Sequence, residues 1–254
     1  MDKRCRGSFT MRCHCCSGTY TEIMQDVYKC QVCSHIHRKF LGDSIEYHQQ
    51  QYRKDERRTS DEISQTGEIK EKFHENRKEI VLKRMSFLQG YLKEKMNCLD
   101  IGAGAGTFAK NLSNICHSVE CTELDPNLIK ECQRMGFKTY SEDFLEIIFE
   151  KKYDFVSAWH VLEHVEDIKS FVEKLKEIAK GLVCIEIPLL KAIDGKGRER
   201  KLYPPNKGRY DGHTHYFCKK SFESLIAESF EVLELKEGVQ TPALFCIMRV
   251  KNDN

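Results

Sequence analysis

At 254 residues, with 40% hydrophobic and 31% charged side chains, the chain has the composition of a globular protein with one sizeable core and room for a small appendage. Its formal net charge of +2 excludes an overall electrostatic case for binding nucleic acid or an anionic membrane, leaving only local basic patches. No apolar run approaches the ~20 residues of a bilayer crossing, and the opening stretch to Arg12 is polar and basic, so a cytoplasmic protein with no membrane partner is expected.

In chain order, the head of the sequence (1–40) is rich in Cys and His. The thirteen cysteines of the chain are an odd count without a disulfide framework, which fits reduced thiols. Cys13-x-x-Cys16 and Cys30-x-x-Cys33 form two matched knuckles, and paired thiolates at that spacing converge on one tetrahedral ion. A zinc ribbon is the expected module. Four protein ligands leave no open coordination position, so the zinc is structural. Cys15 and His14 blur the first knuckle, and His35 or His37 offers a substitute at the second. A redox pair is the weaker alternative.

A connector and helix follow over 41–96. Residues 41–64 are polar, with aromatics at Tyr47 and Tyr52. From 68 to 95 the apolar residues Ile69, Phe73, Ile80, Val81, Leu88, Tyr91 and Leu92 recur at helical spacing among charges, which predicts an amphipathic helix. Beyond 97 the pattern alternates. Strands are predicted at 98–101, 118–122, near Lys138 and Tyr140, at 155–158 and at 182–187, the last read as wholly apolar and ended by Pro188. Helices are predicted at 107–113, 127–135 and 168–179, the last stopped by Gly181. Such alternation means a parallel sheet. The tail adds a helix at 221–229 and an antiparallel pair of strands at 230–235 and 243–250.

The segment CLDIGAGAGTF (98–108) runs a buried strand through Gly102, Gly104 and Gly106 into a helix, where glycines let the backbone turn sharply and approach a ligand. A tight turn without a ligand is the plainer reading. Glu123 ends the next strand, where a nucleotide-binding α/β fold places a carboxylate on the ribose hydroxyls. Thr107 stands at the sixth position of the glycine pattern, which disfavours a dinucleotide pyrophosphate.

With CLDIGAGAG, ELDP (123–126), YDFVSAWHVLEHVED (153–167) and HTHYF (213–217), the chain resembles the class I S-adenosylmethionine-dependent methyltransferases from Cys13 to Val250. The resemblance implies a doubly wound seven-stranded α/β sheet with an antiparallel last strand, the catalytic domain spanning 97–254. It implies that Gly102, Gly104 and Gly106 face the methionine part of S-adenosylmethionine, that Asp100 orients its amino group and that Glu123 holds the ribose. Asp143 and Phe144 would contact the adenine, with a helix cap as the alternative for Asp143, and His160 would face cofactor or acceptor. Glu163 and His164 look like packing residues. The Cys-rich head followed by 47–53 resembles the zinc-containing segment of bacterial members acting on sugars and cell-surface polysaccharide precursors.

The expected reaction is therefore O-methylation of a sugar, polysaccharide precursor or related small polar metabolite. His215 in DGHTHYF is the expected general base, with His213 positioning the acceptor or sharing the role and His160 as competitor; a structural role for both tail histidines is the alternative. Two rivals remain. One is an RNA or protein methyltransferase docking through the ribbon, for which Arg4, Arg6, Arg12, Arg38, Lys39 and the run 196–201 supply positive charge. The other is a cofactor-binding partner subunit without catalysis.

Overall fold

The computed structural model describes residues 11–39, 64, 68–189, 212–238 and 242–251. The aromatics at Tyr47 and Tyr52, the basic residues Arg4 and Arg6 and the run 196–201 lie outside these residues. Two sheets form the molecule. The larger has seven strands: β4 (Asn97–Ile101), β5 (Ser118–Thr122), β6 (Lys138–Tyr140), β7 (Tyr153–Trp159), β8 (Ala179–Pro188), β10 (Phe230–Glu237) and β11 (Ala243–Val250), in the order β10-β11-β8-β7-β4-β5-β6. The five strands from β8 to β6 run parallel, β11 pairs antiparallel with β8, and β10 antiparallel with β11. The expected doubly wound sheet with its antiparallel end is present.

Side-chain alternation along the central strands decides which helix covers which face. Leu99, Ile101, Val156, Ala158, Val183 and Ile185 share a core with α4 (Ile168–Ile178) and α5 (Lys219–Ile226), through Phe171, Leu175, Phe222 and Ile226. Cys98, Phe155, Trp159 and Cys184 point the other way, onto α1 (Glu71–Phe87), α2 (Thr107–Leu112) and α3 (Pro126–Arg134). Helix starts follow their capping chemistry: Asp125 accepts from the N–H groups of Asn127 and Leu128 ahead of α3, and Asp167 from Lys169 and Ser170 ahead of α4.

Three local expectations need correction. The helix predicted over 68–95 is shorter, because its last turn gives way at Leu88 and Gly90 takes a φ of 86°. Gly181 does not stop a helix: α4 ends at Ile178 and passes directly into β8, where a Cβ at Gly181 would lie 2.3 Å from the Asp154 carbonyl oxygen, so glycine there permits a close approach of β7 and β8. The strand read as wholly apolar carries a buried carboxylate, Glu186.

The smaller sheet holds β1 (Tyr20–Met24), β2 (Val27–Cys30), β3 (Ile36–Arg38) and β9 (His215–Tyr216) in that order. Its last strand comes from the far end of the chain, pairing Ile36 with Tyr216 and His37 with His215. Further ties fasten the same junction. Arg38 donates to the His213 carbonyl, the Cys218 thiol to the Cys33 carbonyl at 3.2 Å and Lys220 to the Val32 carbonyl at 2.8 Å. Cys13, Cys15, Tyr20, Cys30 and Cys33 share one continuous core with Phe217, α4 and α5. No helix among the described residues is long and apolar enough to cross a membrane.

Candidate active site

The glycine turn leaves β4 with Gly102, Gly104 and Gly106 at φ values of 63°, 59° and 73°, all left-handed. At Gly102 a Cβ would meet Val161 at 2.7 Å, whereas beyond Gly104 there is open space. Its shape is set by the neighbouring strand: Gly102 N–H donates to Thr122 Oγ1 at 3.2 Å and Gly104 N–H to Glu123 Oε2 at 2.8 Å. The other Glu123 oxygen accepts from Leu124 and Asp125 N–H at 2.8 and 3.0 Å. Burial pushes the Glu123 carboxyl up, and these backbone donors pull against it.

Asp100, at the C-terminal end of β4, is 0% exposed. Oδ1 accepts from Ser157 Oγ at 2.7 Å, and Oδ2 has no partner. Burial pushes the carboxyl up to about 7 against the Ser157 hydrogen bond. An orphaned buried carboxylate oxygen beside an open glycine turn suits a polar cationic ligand, because an unpartnered buried acceptor is costly. Asp143 Oδ1 accepts from Leu145 N–H at 2.8 Å in the turn after β6, where no helix begins. Phe144 is buried against Phe149 and Phe171.

On the other side of the turn, β7 ends at Trp159 and His160 takes a φ of 57°, an uncommon conformation for a residue with a side chain. Its N–H donates to the Glu186 carbonyl at 2.9 Å, Nδ1 lies 3.0 Å from Glu163 Oε1 and Nε2 lies 3.1 Å from Glu186 Oε1. Burial opposes charge on this ring, yet the two carboxylates outweigh it and raise His160 to about 9. Glu186 also accepts from Arg84 Nε at 2.7 Å, and that guanidinium lies over the Trp159 ring at 4.7 Å. Arg84, Glu186, His160 and Glu163 thus form a row of alternating charge. Glu163, His164 and His213 bring a carboxylate oxygen and two imidazole nitrogens within 4.8 Å of one another, and Glu163 Oε2 has no partner.

Sequence reasoning set Glu163 aside as packing and missed Glu186 and Arg84. A charged residue interrupting an apolar strand was the signal for Glu186. The i, i+3 spacing that puts Glu163 beneath His160 lies in a short 3₁₀ turn (Leu162–His164), which no periodicity announces.

His215 has different partners. It is 0% exposed in β9, with Nδ1 3.3 Å from His35 Nε2 and Nε2 3.2 Å from the Glu166 carbonyl. Burial and the neighbouring His35, His37 and His14 push its basicity well below that of a free imidazole. Both nitrogens are engaged at the junction of the two sheets. His213, ahead of β9, packs edge-on to His164 at 4.7 Å.

In the ribbon, the Sγ atoms of Cys13, Cys16, Cys30 and Cys33 lie within 4.8 Å of one another, with Cys13 to Cys33 and Cys16 to Cys30 both at 3.6 Å. Four thiolates around an ion at ~2.3 Å stand about 3.8 Å apart in a tetrahedron, so the donor set fits zinc. Backbone N–H groups of Cys15, Gly18 and Val32 point at Cys13, Cys16 and Cys30. The substitutes considered for this set have other partners: His35 Nδ1 lies 2.6 Å from the Tyr20 hydroxyl, and His14 and His37 pack on His215 with ring centroids 5.3 and 5.0 Å away. Cys15 forms a smaller group with Cys13 and His35.

Residues 73–234 match the family described as a methyltransferase domain. A curated relative, the mitochondrial ubiquinone biosynthesis O-methyltransferase of Dictyostelium discoideum, is 24% identical over 187 residues, covering 63% of this chain; the match spans 57% of the relative's own length. Among solved structures, the N-methyltransferase NodS from Bradyrhizobium japonicum WM9 in complex with S-adenosyl-L-homocysteine aligns with a TM-score of 0.54 at 15% identity, over 83% of this chain and 100% of that one. Magnesium protoporphyrin IX methyltransferase from Synechocystis PCC 6803 with bound S-adenosylmethionine aligns at 0.55 and 13% identity, over 84% and 100%. At these identities the likeness is one of fold.

Proposed function

Since the chain belongs to the methyltransferase-domain family and is an S-adenosylmethionine-dependent enzyme of class I fold, we propose that it methylates a hydroxyl of a small polar acceptor, a sugar or polysaccharide precursor being the preferred class. The observation that carries this reading is the pairing of an open, left-handed glycine turn and an orphaned Asp100 oxygen with His160, whose neighbour Val161 lies against Gly102. Asp100 takes the amino group of the cofactor, Glu123 orders the turn and receives the ribose, and the Gly104 backbone makes room for the methionine part. When bound, S-adenosylmethionine supplies an already activated methyl group. What remains for this chain is to align the acceptor, exclude water and remove a proton.

We assign the base to His160, which Glu163 and Glu186 make more basic, rather than to His215, whose basicity burial lowers; the acceptor hydroxyl displaces one of the two carboxylates at the His160 ring. Held up to about 9 by Glu163 and Glu186, it is a stronger base than a free imidazole, and its neutral form is scarce below that pH. Turnover therefore rises with pH toward about 9. The four-cysteine site holds a structural zinc and, through β9, carries the segment containing His213 to the acceptor side.

The test is methyl transfer from labelled cofactor to a panel of sugar nucleotides and polar metabolites. With the acceptor found, His160→Gln should lower turnover roughly 100-fold while cofactor affinity stays within a few-fold of the wild type. Wild-type turnover in that variant would reject His160 as base. Activity that appears only with an added divalent cation would move proton removal to the Glu163, His164 and His213 group.

A further inference from the structure

The three glycines of the turn carry no side chains to define its shape, and glycine loses more conformational freedom on ordering than any other residue. The turn must be held from outside. One support is α3, where the Cys132 thiol donates to the Gly104 carbonyl at 3.2 Å, and where a Cβ at Gly106 would meet Cys132 and Met135 at 3.2 Å. The other is the first turn of α1. Phe73, 2% exposed, packs with Ala105 of the turn and Leu128 of α3. Its neighbour His74 reaches both elements at once: Nδ1 lies 2.8 Å from the hydroxyl of Thr107, the residue directly after Gly106, and Nε2 lies 3.1 Å from Glu131 Oε1 on α3.

Glu131 is itself buried and gripped by Arg134 through Nε and Nη2 at 2.8 and 2.7 Å, so it is a fixed anchor rather than a mobile surface group. An ionised carboxylate only accepts, which assigns the Nε2 proton to that bond, and the Thr107 hydroxyl can pair with Nδ1 as donor or acceptor. The ring is thereby held at both nitrogens. Three segments distant in sequence, α1, the glycine turn and α3, meet on one imidazole.

We infer that His74 is a positioning residue for cofactor binding, a pin that fastens α1 across the glycine turn and holds the turn in its ligand-ready shape. The inference rests on the reading of that turn as the cofactor site. A preformed turn spares the cofactor the cost of ordering it, so loss of the pin appears in affinity, and it appears in the turn itself before any ligand is added.

The experiment uses the full-length protein with S-adenosylhomocysteine as probe, followed by calorimetry and by amide hydrogen exchange. His74→Ala should weaken binding about 5- to 20-fold, a factor typical of losing one or two hydrogen bonds that preorganise a site. Thr107→Val should weaken it comparably, and the double variant should be no worse than the weaker-binding single variant, because both break the same link. Amides of residues 102–107 should exchange faster in either variant without ligand and return to wild-type protection when saturated. Unchanged affinity in both single variants overturns the inference, as does a lowered melting temperature with unchanged affinity and unchanged exchange at 102–107. If His74→Ala does not fold, Thr107→Val decides alone. A wild-type protein that fails to bind S-adenosylhomocysteine removes the cofactor reading, whereas wild-type binding with indifferent variants removes only the pin.

Discussion

Asp100 shows how one buried atom can set a pH dependence. Its carboxyl is raised to about 7 by burial, and one oxygen lacks a partner. A group whose folded pKa exceeds its unfolded value of ~3.9 contributes stability below that value and loses it as pH rises through the folded one. The cofactor-free protein should therefore lose some stability between about pH 4 and 7, the window in which Asp100 is neutral when folded and ionised when unfolded. Cofactor binding, which uses the ionised form against an amino group, should strengthen over the same pH rise and release a proton. Calorimetry of S-adenosylhomocysteine in two buffers of different ionisation enthalpy checks this near pH 6.5. Asp100→Asn should bind more weakly and without the buffer dependence; an equal buffer dependence in that variant would assign the proton elsewhere. The residues Asp100, Gly102, Gly104, Gly106 and Glu123 were legible because a strand, a glycine turn and a carboxylate at the end of the next strand form a local, ordered pattern. His160 was legible only as a position. The Glu163 and Glu186 carboxylates that raise its basicity come from a 3₁₀ turn and a separate strand.

Among the elements, α1 is the one whose sequence says least about its task. Only Phe73 and Val81 of its residues are buried, yet it reaches the residue after the glycine turn through His74 and the sheet through Arg84. Arg84 is 12% exposed at its side chain and sits between a buried carboxylate, Glu186, and the Trp159 ring. Removing one partner of a buried pair leaves the other uncompensated, at about 3 to 5 kcal/mol in general. Glu186 keeps His160, so Arg84→Met should cost less, about 2 to 3 kcal/mol by denaturant unfolding. Arg84→Lys should recover only part of it, because an ammonium lacks the planar stack on Trp159. A loss under about 0.5 kcal/mol in Arg84→Met, the level of a neutral surface change, would show that the pair is not a fastening. The strand β9, two residues long, was invisible to periodicity, since a bridge that short carries no alternation to read.

Across the whole molecule, the four-cysteine ribbon and the methyltransferase sheet are linked by a strand that the chain supplies from its C-terminal third. Metal content and acceptor-side order should consequently move together. The wild-type protein should carry about one zinc per chain. Cys30→Ser with Cys33→Ser should abolish it and lose amide protection jointly over 11–39 and 212–218, although the two segments are far apart in sequence. The central strands β4, β5 and β7 should keep theirs, since their hydrogen bonds lie wholly within the larger sheet. Retained zinc in the double variant would rule out this ligand set, and retained protection over 212–218 would show that β9 does not depend on the metal.

Local order along the chain was enough to establish the alternating α/β architecture, the glycine turn with Glu123 and the two cysteine knuckles, because each is written in periodicity or short fixed spacing. Tertiary structure alone decided the surroundings of the histidines. His213 and His215 are two residues apart and look equivalent in DGHTHYF, but His213 precedes β9 and packs on His164, whereas pairing with β3 buries His215 among the ribbon's imidazoles. His160 becomes the strongly basic ring because Glu163 and Glu186 converge on it. Basicity depends on burial and on neighbouring charge, and both are properties of the packed structure, set by side chains that the sequence separates.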